Sequence, residues 1–173
     1  MLNKEECVKE LLYAYRLSGE NFEDTPRRFI ATLDNLIFRE RPKMTTFLVK
    51  GKPGMLFIKD YVTWSLCPHH LLPVKYTFKI GYIPEDIVLG LSKLARIADW
   101  VMSQLPLQEE IPGMICDFLQ EVLNPKGCGV LVQGEHLCMR MRGVQSENTT
   151  AISSGLRGVM LTEPSAKEEF LLL

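Results

Sequence analysis

The chain has 173 residues, 46% hydrophobic and 24% charged, which is the composition of one folded domain with a real core and excludes a disordered chain. With 20 Lys plus Arg against 21 Asp plus Glu, a formal net charge of −1 and no basic run, a broad polyanion-binding surface is excluded, so an anionic ligand must be met in a local pocket. No apolar stretch approaches the roughly 20 residues of a membrane span, and MLNKEECVKELL lacks the uninterrupted apolar segment of a signal peptide.

In chain order, Val8, Leu11, Leu12 and Tyr15 recur at helical spacing over residues 4–17. A second helix is expected from Thr25-Pro26, with Thr25 as N-cap and Pro26 at the first helical position, carrying Phe29, Ile30, Leu33, Leu36 and Ile37 as its stripe. Pro42 and the stretch Gly51–Gly54 mark a loop. Residues 55–64 and 73–83, rich in Phe, Ile, Val, Tyr and Thr, read as strands. A long helix over about 91–105 places Leu91, Leu94, Ala95, Ala98, Val101, Met102 and Leu105 on one face, and residues 113–123 offer another apolar face. The turn Asn124-Pro125-Lys126-Gly127 leads into two last strands, about 128–142 and 148–155. This order predicts an α+β domain with helices over one face of an antiparallel sheet, whose uncovered face and edges invite self-association.

Five cysteines, an odd number without a secretion signal, point to reduced thiols in the cytoplasm. Cys7, Cys116 and Cys128 read as small buried hydrophobes. Cys67 and Cys138 differ, because all three histidines of the chain stand beside them, in Cys67-Pro68-His69-His70 and in His136-Leu137-Cys138. Zinc takes thiolate and imidazole ligands, four in a closed structural site and three plus water in a catalytic one. Spacing leaves that choice open. A strand through 128–142 would align His136, Cys138, Arg140 and Arg142 on one face, poor core material but suited to a metal beside an anionic substrate.

Ser92, Lys93 and Arg96 open the long helix, where backbone N–H groups and cations together suit a phosphate, although a capping serine with two solvated cations is the plainer reading. Gln108-Glu109 falls between helices, where a carboxylate beside an amide could read the N–H edge of a guanine or be ordinary loop surface.

Taken together, SLCPHHLLP (65–73), GYIPEDIVLGLSKLAR (81–96), LQEE (107–110), GEHLCMRMRGVQ (134–145) and TTAISSGLRGV (149–159) closely resemble GTP cyclohydrolase I, and EDTPRRF (23–29) and KEEFL (167–171) extend the likeness. The resemblance implies a tunnelling fold, with a four-stranded antiparallel sheet, helices on one side and N-terminal helices. It implies a single domain over 1–173, with a helical part over 1–45 and the core over 46–173. It also implies a ring-forming homodecamer of two pentamers with active sites between subunits. The implied activity is zinc-dependent conversion of GTP to dihydroneopterin triphosphate and formate. By motif position Cys67, His70 and Cys138 match zinc ligands, and His69 and His136 match catalytic histidines. Ser92, Lys93, Arg96 and Arg142 match the ribose and triphosphate contacts, Arg28 a phosphate contact, and Glu109 with Gln108 the guanine reader. The chain departs from the family at Pro68, usually Glu, at Ala31, often Lys, and at Pro106 and Glu110, which replace Gln and Arg; Arg140 is the candidate to make up the lost cation. The competing readings are a zinc-binding homologue without catalysis and another tunnelling-fold enzyme acting on a pterin or 7-deazaguanine precursor.

Overall fold

The computed structural model describes residues 3–51 and 53–172, so Lys52 of the Gly51–Gly54 loop lies outside the described residues. Its elements are α1 (Lys4–Ala14), α2 (Thr25–Ile37), β1 (Thr46–Leu48), β2 (Leu56–Leu66), β3 (Pro73–Ile83), β4 (Ile87–Leu89), α3 (Ser92–Met102), α4 (Ile111–Leu123), β5 (Gly127–His136), α5 (Leu137–Arg140), β6 (Ala151–Gly158), α6 (Val159–Thr162) and α7 (Pro164–Leu172). The chain divides into two compact units, residues 1–39 and 40–173.

In the first unit α1 is closed at its start by Asn3, whose side chain accepts from Glu5 N and Glu6 N while Glu6 reaches back to the Asn3 backbone. The helix ends three residues earlier than its apolar spacing suggests. Arg16 turns into the left-handed region (φ 57°) and donates to Tyr13 O, while Leu17 N donates to Leu12 O, the bond pair of a Schellman stop. The expected N-cap of α2 also moves by one, to Asp24. Its carboxylate makes no capping bond because Arg28 and Arg27 hold it at 2.9 and 3.4 Å and keep it below the ordinary carboxylate range. Neither apolar stripe is buried here: α1 has no buried residue, α2 only Pro26, and Leu11, Tyr15 and Phe29 stand exposed. Cys7 is exposed too, not the small core residue expected.

The second unit is built on a four-stranded antiparallel sheet in the order β2-β3-β5-β6, with a small β1-β4 pair beside it. Val74, Tyr76, Phe78, Ile80 and Tyr82 alternate along β3 and are all buried, as are Val130 and Val132 of β5. α3 packs on β2, and α4 crosses β5 and β6 with Ile111, Ile115, Cys116, Phe118 and Leu119 inward. α3 is shorter than expected. Leu91 is exposed, and after Met102 the Ser103 and Gln104 side chains bond Trp100 O before Leu105 (φ 52°) and Pro106 break the helix.

On the opposite sheet face Val62, Trp64 and Ile152 are exposed. At one end of that face α7 lays Phe170 over Gly129, where an added Cβ would come within 3.1 Å of the ring, a close approach that needs glycine. Phe170 is 1% exposed, so Phe170→Ala is expected to cost about 3–5 kcal/mol, read as a drop in thermal midpoint of several degrees or more; an unchanged midpoint would show that α7 adds nothing to this layer.

Candidate metal centre and active site

Strand register brings the two cysteine–histidine segments together. Leu66 pairs with Pro73 across the β2–β3 hairpin, and Val74 pairs with His136 at the end of β5. The hairpin turn therefore lies beside the exit of β5. Within the turn Cys67 N donates to Leu72 O at 2.8 Å, while His70 N and Leu71 N donate back to Cys67 O at 3.3 and 2.8 Å. That single helical turn puts residues three apart on the same side, so Cys67 and His70 converge. Leu71 takes φ 51° to return the chain to β3.

The ligand atoms of Cys67, His70 and Cys138 all lie within 4.8 Å of one another, with Cys67 Sγ 3.5 Å from His70 Nδ1. Tetrahedral zinc bonds of about 2.3 Å to sulfur and 2.0–2.1 Å to nitrogen put neighbouring sulfur and nitrogen about 3.5 Å apart, so these donors fit zinc in kind and spacing. Burial, and then the Cys67 sulfur beside it, push the Cys138 thiol up. A dication between two such sulfurs removes that penalty by taking both as thiolates. Cys67 is buried, Cys138 half-buried and His70 exposed, which leaves a solvent-facing side.

Cys138 does not reach this position along a strand. β5 stops at His136, and residues 137–140 form the short helix α5. The expected alignment of His136, Cys138, Arg140 and Arg142 on one strand face is therefore corrected. Helical turning, not period-two alternation, carries Cys138 toward Cys67. It also sends Arg140 to Glu135, bonded at 2.7 Å, and Glu135 is shared with Lys75 at 3.1 Å. Arg140 is thus held by an ion pair through Nη1. Arg142 lies exposed near enough to Cys138 for its charge to favour the thiolate.

His136, two residues before Cys138, meets Gln108. Its Nε2 is 2.8 Å from Gln108 Oε1, and Tyr76 meets its ring edge-on with centroids 5.7 Å apart. Burial pushes the imidazole below its ordinary range. Gly134 makes room for this group: a Cβ there would lie 2.9 Å from His136 Nε2 and 3.0 Å from Tyr76 Cε1. Tyr76 was legible only as a core residue of an alternating strand. Burial, then the charges of Cys67, Cys138 and Glu109, hold its phenol far above the usual range. His69 is exposed, with Nδ1 3.8 Å from Cys67 Sγ.

The remaining expected contacts are scattered within one chain. Ser65 Oγ donates to Met102 O and Thr63 Oγ1 to Asp99 Oδ1, so the C-terminal end of α3 docks at the Cys67 end of β2. Ser92, ten residues back along α3, is about 15 Å from that end. Ser92 and Arg96 are exposed there, and Lys93 Nζ donates to Lys43 O at 2.6 Å. Glu109 is exposed, while Glu110 accepts from Leu107 N at 3.1 Å and so serves the start of α4. Arg28 belongs to the first unit, paired with Asp24.

The family profile described as GTP cyclohydrolase I matches residues 5–173. GTP cyclohydrolase 1 of Wolinella succinogenes is 36% identical over 157 residues, covering 88% of this chain and 84% of its own. The GTP cyclohydrolase 1 proteins of Aquifex aeolicus and Methylococcus capsulatus are 39% and 41% identical over 160 residues each, covering 89% and 90% of this chain and 84% and 86% of theirs. The crystal structure of the archaeosine synthase QueF-Like superposes with a TM-score of 0.52 at 18% identity, over 62% of this chain and 97% of its own, which supports the tunnelling fold alone. A profile match over nearly the whole chain, together with relatives 36–41% identical, places this protein in the GTP cyclohydrolase I family.

Proposed function

We propose that this protein converts GTP to 7,8-dihydroneopterin triphosphate and formate, the first step of folate, pterin or 7-deazaguanine synthesis, with one zinc per subunit. The observation that carries the proposal is the meeting of Cys67, His70 and Cys138 two residues from a part-buried His136, in a chain of this family. Zinc held by those three would supply a Lewis acid that makes water nucleophilic near neutral pH.

The chain's own groups then take distinct tasks. Glu109 anchors the N–H edge of guanine and turns C8 toward the site. His69 donates a proton to N7, which makes C8 electrophilic. His136 moves a proton as the imidazole ring opens and formate leaves. Ser92 assists opening of the ribose, and Lys93, Arg96, Arg142 and Arg28 hold the triphosphate.

Ser92 and Arg96 stand exposed along α3, and the substrate is expected to bridge subunits. Three features support a homo-oligomer, taken here as a decamer of two pentamers in the cytoplasm. The stripes of α1 and α2 are unburied, Val62, Trp64 and Ile152 are exposed on the free sheet face, and β2 and β6 are sheet edges. Among the described residues no helix is long and apolar enough to cross a membrane.

The deciding test incubates zinc-loaded protein with GTP and follows formate together with the pterin chromophore. Stoichiometric release of both is expected. No turnover with one zinc bound per subunit would defeat the proposal.

A further inference from the structure

Gln108 lies between α3 and α4, and every polar atom of its side chain is engaged. Nε2 faces Ala151 O at 3.3 Å, Val132 O at 3.5 Å and Ser153 Oγ at 3.4 Å. Ser153 Oγ in turn donates to the Gln108 backbone oxygen at 2.8 Å, which fastens residue 108 to β6. Carbonyl oxygens only accept, so the atom turned toward Ala151 and Val132 must be the amide nitrogen, and the atom turned toward His136 must be Oε1. Oε1 also only accepts. Its 2.8 Å contact with His136 Nε2 therefore requires a proton on Nε2 and leaves Nδ1 as the ring nitrogen free to exchange one. Tyr76 against the ring and the missing side chain at Gly134 confine the pair to this arrangement.

We propose that Gln108 is a positioning residue that locks His136 as the Nε2–H tautomer and so makes Nδ1 its proton-accepting atom. The inference rests on the proposed reaction for its consequence, and it gives this side chain a task besides guanine reading.

With three histidines in the chain, zinc-loaded protein labelled with 15N-histidine gives few enough long-range 1H–15N patterns to read each tautomer, and His136→Ala identifies the signal of interest. The expected wild-type pattern at His136 is Nε2–H. In Gln108→Met, which keeps the length but not the acceptor, the expected result is a mixture of tautomers. Its kcat should fall about 10- to 100-fold, with KM within about twofold of wild type. An Nδ1–H ring in the wild type overturns the proposal without any variant having to fold. So does an unchanged tautomer or an unchanged kcat in Gln108→Met, and a raised KM with kcat intact would return the residue to guanine binding. The tautomer is read without GTP, so failure of the proposed reaction and failure of this positioning role are told apart.

Discussion

Cys138→Ala is expected to lose zinc and with it all formate release from GTP. A four-ligand zinc site is worth about 10–16 kcal/mol, so an equal share is about 2.5–4 kcal/mol and one lost thiolate weakens binding about a hundred- to thousandfold. The fold should survive. Cys138 is half-buried on a four-residue helix, and the sheet that supports the site is held by β3 and α4 rather than by the metal. Zinc analysis after dialysis against a mild chelator, with circular dichroism alongside, separates the two effects. Retention of one zinc per chain by Cys138→Ala would remove Cys138 from the ligand set and leave Cys67 and His70 in need of another partner.

His136→Ala gives the opposite pattern, with zinc kept and turnover lost. His136 bonds Gln108 and contacts Tyr76, and it lies outside the group formed by the ligand atoms of Cys67, His70 and Cys138. Removing a positioned acid–base group typically costs about 10²–10⁴ in rate. That loss should appear in kcat, with little change in KM, because Glu109 and the cations carry substrate binding. Metal release by His136→Ala would make it a ligand, and normal turnover would pass its proton transfer to another group. Single-turnover rates with zinc measured on the same samples decide among these.

The α+β order was legible because the β-rich composition of 73–83 and the helical stripes in 91–105 and 113–123 are local patterns that burial rewards directly. The site was legible as composition and motif: every histidine beside a cysteine, in segments resembling one family. The strand assigned to 128–142 was not, because alternation of Val, Leu, Met and polar residues continues past His136 while the backbone turns into α5. No local preference announces that turn. It is set by where β5 leaves β3 at the Val74–His136 pair.

The sequence by itself determined the donor chemistry, the fold class and the family. Ligand type depends on residue identity, and periodicity depends on neighbours a few positions away. Only the tertiary structure decided which groups meet. Register placed the Cys67 turn beside the end of β5, packing spent Arg140 on Glu135, and three acceptors around one amide nitrogen fixed Gln108 to His136. Such pairings join residues up to about 70 positions apart, from Cys67 to Cys138, where sequence spacing carries no distance information and the closing of the sheet supplies all of it.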